Sequence, residues 1–206
     1  MRPWEAHLAN SPCSPLGTAP RLTVSWREQY TELMPTPSST PKLSSTQIGV
    51  IGENLLVNAV MKASKGQLSP FTPIADDDGL DVLFFDKETG KSVAIQLKCR
   101  TNTDSGGKTT QFDVRLATFK EERHAFLVAA LLNPDMTGFV CSWFIPMKDL
   151  KEVGNKKADK YVITPSKAEG SADKYKNFRC LNVGELAQHI VKVCKRSEDI
   201  DVDAVT

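Results

Sequence analysis

The stretch GLDVLFFDKETGKSVAIQLKCR, residues 79–100, constrains the fold more than any other part of this chain. Two apolar runs flank the polar, glycine-containing sequence KETG, and this order is typical of a β-hairpin. If Asp86 and Lys91 flank the turn, the register of the two strands is fixed, because paired residues in an antiparallel ladder have a constant sum of residue numbers. The pattern therefore predicts which side chains meet across the hairpin.

The predicted register gathers three polar side chains at the open end of the hairpin. Asp81 lies opposite Gln96, and Lys98 is diagonal to Asp81. The opposite face of the hairpin is predicted to be apolar and buried, and its members are Leu80, Val82, Phe84, Val93, Ile95 and Leu97. Polar groups in such apolar surroundings are costly unless a partner or ligand satisfies them.

These side chains have the chemistry of a divalent-metal site. Directly opposed residues have Cβ atoms about 4.5–5.5 Å apart, so oxygens of Asp81 and Gln96 can converge on one Mg²⁺. A bound Mg²⁺ neutralises phosphate charge and lowers the pKa of a bound water, which is the chemistry of phosphodiester hydrolysis. Lys98 alongside would position that water or stabilise developing negative charge. A strand end that turns into solvent is the alternative interpretation.

A further acid is expected from the helix that precedes the hairpin. Ser45 or Thr46 can cap this helix, and apolar residues recur along it at three- and four-residue steps. Glu53 is the one Asp or Glu between residues 32 and 76, and the neighbouring Gly49 and Gly52 would let the helix approach the sheet closely. A solvated surface position is the alternative for a lone helical glutamate.

Taken together, Glu53 on the leading helix, Asp81, and Gln96-Leu97-Lys98 at the end of the next strand resemble the PD-(D/E)XK nuclease superfamily. The glutamine variant with its DDGLDV approach is similar to the Mrr-like restriction branch, and GVIGENLL is similar to the helix of archaeal Holliday junction resolvases. The resemblance spans roughly residues 45–146. It implies an α/β restriction-endonuclease-like core, a mixed β-sheet flanked by helices in αβββαβ order.

The resemblance also implies a role for each matched residue. Asp81 would be the principal metal ligand, Gln96 would stand where the second acid normally sits, and the Leu97 carbonyl would be a further ligand. Glu53 would contribute to the metal site directly or through water, and Lys98 would be the catalytic lysine. The implied cofactor is Mg²⁺, for which Mn²⁺ can substitute. Because Gln96 is neutral, the site holds less negative charge than the usual pair of acids.

The expected function is therefore a Mg²⁺-dependent endonuclease that hydrolyses DNA through a metal-activated water. A homodimer would supply two sites for cutting two strands. The alternative from another class is a non-catalytic module of the same fold that binds nucleic acid or a protein partner, with Gln96 marking a decayed site.

Contacts with DNA phosphates are expected after the hairpin, from Arg100, Lys108 and Arg115. A solvated loop fits the same residues. GGKTT lacks the first glycine of a P-loop, and the residues after it indicate a strand, so nucleotide binding there is rejected. The lysine-rich segment 148–176 ranks second for nucleic-acid contact, because its acids weaken its positive charge. Asp76 and Asp77 are expected to be turn residues.

Composition narrows the class of protein. Net charge is +1, which excludes a globally basic nucleic-acid binder but leaves a local basic cleft open. Five scattered cysteines without a C-x-x-C pair favour reduced thiols and a cytoplasmic protein. The three histidines lack zinc-site spacing, and no apolar run approaches the about 20 residues of a membrane helix.

One domain is expected over residues 46–196, between a Pro/Ser/Thr-rich tail, residues 1–45, and an acidic flexible tail, residues 197–206. Beyond the hairpin, the pattern predicts a strand over 111–116, a helical turn at TFKEERH, and a last helix within residues 182–196. It also predicts two neighbouring strands over 125–132 and 139–146, joined by a turn-rich connection.

Overall fold

The computed structural model describes residues 43–75, 78–102, 107–121 and 123–196. Its helices are α1 (Ser45–Ala63), α2 (Leu150–Val153) and α3 (Val183–Arg196). Its strands are β1 (Leu68–Phe71), β2 (Val82–Asp86), β3 (Ser92–Thr101), β4 (Phe112–Arg115), β5 (Ala125–Leu132), β6 (Phe139–Pro146), β7 (Asn155–Lys156), β8 (Lys160–Ile163) and β9 (Arg179–Cys180). Residues 1–42 of the predicted N-terminal tail and the whole acidic tail, residues 197–206, lie outside the described residues, and the domain boundaries stay a prediction.

Helix α1 begins one residue earlier than the capping prediction placed it. Ser44 is the N-cap: its hydroxyl accepts a hydrogen bond from the Gln47 N–H (3.2 Å), and the Gln47 side chain accepts one from the Ser44 N–H (2.8 Å). The prediction of Ser45 or Thr46 was therefore wrong. Three consecutive hydroxyl residues can each cap a helix, and the glutamine three positions after Ser44 completes a capping box only there.

Six strands form the main sheet in the order β1-β2-β3-β5-β6-β9. All neighbouring pairs are antiparallel except β3 and β5, which are parallel, so the predicted mixed sheet is confirmed. The hairpin register is also confirmed, since Val82 pairs with Ile95 and Phe84 with Val93. Strands β5 and β6 have the predicted bounds.

Strand β1 contains a proline, a residue that lacks the N–H used in a strand ladder. Pro70 lies inside β1 and pairs with Phe84 of β2. Strand β1 is the edge of the sheet, so one side of it has no neighbouring strand. A proline there can direct its missing N–H toward solvent without loss of a hydrogen bond between strands. Proline therefore does not exclude a strand at this position.

Two different layers cover the two faces of the main sheet. Helices α1 and α3 pack on one face, against a cluster that includes Val82, Phe84, Val93, Ile95 and Leu97. On the other face lies a small sheet in the order β4-β8-β7, which shares a second cluster with β5 and β6.

Leu80 packs on that second cluster rather than with Val82 as the hairpin pattern predicted. It precedes the first residue of β2, so strict alternation does not extend to it.

The connection from β3 to β5 carries strand β4 instead of a helix. Residues 116–118 form a hydrogen-bonded turn, and the predicted helical turn at TFKEERH is not a helix in residues 118–121 and 123–124. Strand β4, predicted from its apolar alternation, pairs with β8 of the small sheet. The lysine-rich segment 148–176 supplies β7 and β8, and β9 lies just beyond it.

Candidate active site

The candidate site lies where β2 leaves β3. Strand β2 pairs with β3 as far as Val82 and Ile95, whereas β3 continues to Thr101 alongside β5. Asp81 sits at this parting: its N–H donates to the Ile95 carbonyl (2.9 Å), and its Oδ2 accepts a 2.5 Å hydrogen bond from the Leu97 N–H. Because the N–H and C=O of one strand residue point to the same edge, the Leu97 carbonyl also faces this edge.

Close packing of α1 on β3 brings Glu53 to the same place. A Cβ atom on Gly52 would lie 2.2 Å from Cys99 Sγ and 3.4 Å from Leu97 Cδ2, so only glycine fits there without displacement. Gly49 makes no such approach, since a Cβ atom on it would have Glu53 Oε1, 4.0 Å away, as its nearest neighbour. Of the two glycines expected to permit close approach, Gly52 therefore does so.

One pocket of about 530 Å³ collects these residues: Ser45, Thr46, Gly49, Val50, Glu53, Asp81, Leu97, Lys98, Cys99, Arg100, Phe112, Asp113 and Arg115. The pKa of Cys99 also reflects the closeness of Glu53, Asp81 and Lys98 to one another. Burial raises the pKa of its thiol to about 12, with the carboxylates of Glu53 and Asp81 adding to the rise and Lys98 opposing it. The structure thus brings Glu53, Asp81 and Lys98 around one point.

Gln96 occupies the neighbouring cleft rather than this pocket. Its side chain is 1% exposed and lines a second cavity of about 770 Å³, to which Lys98 also contributes. A Cβ on Gly79, whose φ is +67°, would lie 2.6 Å from Gln96 Nε2. The buried Oε1 atom of Gln96 has no hydrogen-bond partner among the described residues. An unsatisfied buried acceptor costs about 1–3 kcal/mol, so this oxygen is suited to a ligand.

The donor set suits a hard cation. Within the described part of the chain, no group of three or more His, Cys, Asp or Glu side chains could hold a metal ion. The candidate site instead offers two carboxylates and one backbone carbonyl, and the orphaned amide oxygen of Gln96 lies in the adjoining cavity. Mg²⁺ takes oxygen ligands, keeps several waters and is usually held by one or two carboxylates, so these residues fit it.

Two of the three predicted DNA-contact residues line the site. Arg100 and Arg115 belong to both cavities. Lys108 belongs to neither and lies next to the isolated bridge between Thr109 and Ser166.

Sequence reasoning missed three ion pairs, made by Asp113 and Asp78. Asp113 lines both cavities and accepts a 2.8 Å hydrogen bond from Lys160 Nζ. Asp78 accepts from Arg123 Nη2 at 2.6 Å and from Lys120 Nζ at 3.2 Å, which ties the approach to β2 to the approach to β5. The bonds from Lys160 and Arg123 span 47 and 45 residues, so no local pattern reveals them. Asp76 and Asp77 lie outside the described residues.

A helix packed on a mixed sheet in this strand order gives an α/β fold similar to the restriction-endonuclease-like type. Among solved structures, the chain is similar to a bacterial homing endonuclease, I-Ssp6803I, with a TM-score of 0.51 and 16% identity over 76% of this chain and 99% of that one. It is also similar to Hjc, a Holliday junction resolvase from Archaeoglobus fulgidus, with a TM-score of 0.35 and 15% identity over 63% of this chain and 97% of that one.

Comparisons at the level of sequence, by contrast, find no match. No protein-family model matches the chain, and no curated protein does. In the described residues, no helix has the length and apolar character needed to cross a membrane.

Proposed function

We propose that this protein is a Mg²⁺-dependent DNA endonuclease of the PD-(D/E)XK type, with the glutamine variant of the motif. The observation that carries the proposal is that Glu53, Asp81 and Lys98 line one pocket at the parting of β2 and β3. Similarity to a homing endonuclease supports the fold on which this site is built.

Asp81, Glu53 and the Leu97 carbonyl would hold the metal in the pocket, and the amide oxygen of Gln96 would be its further ligand from the adjoining cleft. A carboxylate offers about four lone-pair positions, so the hydrogen bond from Leu97 to Asp81 is compatible with a cation on the same side chain. The metal, for which Mn²⁺ can substitute, supplies a water of lowered pKa and neutralises phosphate charge.

Lys98 acts on the reacting phosphate. In hydrolysis the water oxygen forms a bond to phosphorus, the bond from phosphorus to the leaving oxygen breaks, and that oxygen gains a proton. Negative charge grows on the phosphoryl oxygens as this happens. Lys98 lines the pocket that holds the two acids, where its ammonium stabilises this charge and orients the attacking water. Arg100 and Arg115 would contact the DNA backbone beside it.

The positive end of α1 adds to this field. Ser45 and Thr46, in the first turn of the helix, line the same pocket as Lys98. A helix N-terminus carries roughly +0.5 of an elementary charge, which favours an anion such as a phosphate in front of it.

A second candidate function is a non-catalytic module that binds DNA or a protein partner. The neutral Gln96 favours it, because a site with one fewer acid attracts a cation less strongly. Metal binding separates the two functions, since an ion that binds the folded state raises the unfolding temperature by mass action.

The experiment that tests the nuclease is incubation of supercoiled, linear, branched and modified DNA with Mg²⁺ or Mn²⁺. Lys98→Ala serves as the inactive control, and thermal unfolding shows that the variant is folded. Metal-dependent cleavage by the parent protein, and not by Lys98→Ala, is the expected result. Equal cleavage by both proteins would assign the activity to another site or to a contaminant.

A further inference from the structure

A second, cation-lined cleft adjoins the candidate active site. Its cavity of about 770 Å³ is lined by Ser45, Gly79, Gln96, Lys98, Arg100, Asp113, Arg115, Ala117, Thr118, Asp159 and Lys160. Four of these side chains are cations and two are acids, in a chain whose overall net charge is only +1. Positive charge is therefore concentrated locally, as expected for a surface that meets a polyanion.

The cations come from both sheets. Lys98 and Arg100 are two positions apart on β3, so they project from the same face of the main sheet. Arg115 and Lys160 are register partners in the small sheet, so they project from the same face of that sheet, and both line the cavity. Directly paired strand residues have Cβ atoms about 4.5–5.5 Å apart, which brings these two charges side by side.

The ion pair of Asp113 and Lys160 holds one of these cations in place. Lys160 Nζ donates to Asp113 Oδ2 at 2.8 Å, and Asp113 Oδ1 accepts a further 2.8 Å hydrogen bond from Gln111. An ammonium has three donors, so the bond to Asp113 occupies one and leaves others to meet an anion. Asp113 thus orients Lys160 without neutralising the cleft as a whole.

The cleft continues the catalytic pocket. Lys98, Arg100, Asp113 and Arg115 line both cavities, whereas Lys160 belongs to the second cavity alone. A DNA strand whose reacting phosphate sits between Asp81 and Lys98 would therefore continue from that phosphate along a path lined by cations. Lys160 is the cation of this path that lies outside the catalytic pocket.

We propose that this cleft binds a backbone phosphate of the DNA strand next to the phosphate that is cleaved, with Lys160 and Arg115 as its contacts and Asp113 as the positioning residue for Lys160. The inference rests on the proposed nuclease function. It extends that function by giving the small β4-β8-β7 sheet a part in holding the substrate.

The salt dependence of DNA binding tests the proposal without any cleavage. Binding of a fluorescent DNA duplex is measured by anisotropy in EDTA over a series of salt concentrations. Removing one phosphate contact lowers the slope of log K against log salt by about 0.9. Lys160→Gln and Arg115→Gln are each expected to lower the slope by about 0.9, and the double variant by about 1.8.

Lys195→Gln is the matched control. Lys195 is an exposed lysine of α3, next to Cys194, and Cys194 lies within the electrostatic reach of Asp86 at the turn end of the hairpin. Lys195 therefore stands away from the cleft, and the slope measured for Lys195→Gln should equal that of the parent. Far-ultraviolet circular dichroism and thermal unfolding show that each variant is folded.

An unchanged slope for both Lys160→Gln and Arg115→Gln would overturn the proposal. Because the measurement contains no divalent metal, it is independent of whether the protein cleaves DNA. Reduced slopes in a protein that never cuts would support the phosphate site and reject the nuclease. Unchanged slopes in a protein that does cut DNA would reject the phosphate site and support the nuclease.

Discussion

The carboxylate of Asp81 accepts a 2.5 Å hydrogen bond from the backbone N–H of Leu97, at the point where the two strands of the hairpin part. The bond satisfies a strand N–H that β2 no longer reaches. The same carboxylate is the proposed metal ligand, so Asp81 combines a structural role with a chemical one. The two roles respond differently to substitution.

Asp81→Asn and Asp81→Ala are expected to separate these roles. Asparagine keeps an oxygen for the Leu97 N–H but loses the charge, so stability should stay near that of the parent while cleavage falls. Alanine also leaves the N–H without its partner, which costs about 1–3 kcal/mol in the free energy of unfolding. Urea unfolding and plasmid cleavage measure the two effects. Full cleavage by Asp81→Asn would exclude Asp81 as a ligand.

Lys98→Ala is expected to lower the cleavage rate by about 10²–10⁴-fold, the usual effect of losing one group that acts on the transition state. Lys195→Ala, which changes an exposed lysine of α3, should cut at the rate of the parent. Single-turnover cleavage at saturating protein isolates the chemical step from DNA binding. A loss confined to binding, with the rate unchanged, would make Lys98 a phosphate contact only.

Gly52→Ala and Gly49→Ala are expected to act in opposite directions. The added methyl of Gly52→Ala meets Cys99 Sγ at 2.2 Å, and overpacking of this kind costs about 1–3 kcal/mol. Gly49→Ala meets nothing nearer than 4.0 Å and should stabilise the helix by up to about 1 kcal/mol. Thermal and urea unfolding measure both.

Cys99→Ala in the Gly52→Ala background tests the cause of the destabilisation. It removes the sulfur and leaves the two Cβ positions 3.4 Å apart, an ordinary contact. Stability and cleavage should both recover in the double variant, because α1 can again hold Glu53 against β3. No recovery would place the cause elsewhere.

Mn²⁺ or Mg²⁺ is expected to raise the unfolding temperature of the parent protein as the ion occupies its site. Asp81→Asn should lose most of this shift, and Lys195→Gln should keep it. Differential scanning fluorimetry over a metal titration provides the measurement. A shift that is equal in Asp81→Asn and in the parent would assign the bound ion to a different site.

The Asp113–Lys160 pair predicts a pH-dependent contribution to stability. The hydrogen bond from Lys160 is the main cause that holds the pKa of Asp113 below its ordinary value of 3.8, and the same bond raises the pKa of Lys160 above 10.5. The contribution of Asp113 is present above pH 3.8 and lost as the pH falls through its lowered pKa. The contribution of Lys160 is present below pH 10.5 and lost as the pH rises through its raised pKa.

Lys160→Gln should therefore be less stable than the parent between these limits and converge with it outside them. Urea midpoints across the pH range measure the difference. A difference that stays constant through the acid limb would mean that the ion pair contributes nothing to folding.

Much of the fold was predictable because it depends on local alternation. The hairpin register, the bounds of β5 and β6, and the terminal helix are set by the spacing of apolar residues and by turn chemistry. Asp81 and Lys98 were expected to face one site, and both line the same pocket. The turn fixes the register of a hairpin, and the register fixes which side chains share a face, so residues far away in the chain are not needed to predict it.

Only the tertiary structure decided the features that join distant segments. It placed Gly52 against Cys99, gave Pro70 an edge strand, and moved Gln96 into the cleft beside the two acids. It also paired β4 with β8, and so brought Lys160 beside Arg115 at the edge of the site. The physical reason is that the alternation of one strand specifies its faces but not its partner, which depends on packing between residues far apart in the chain.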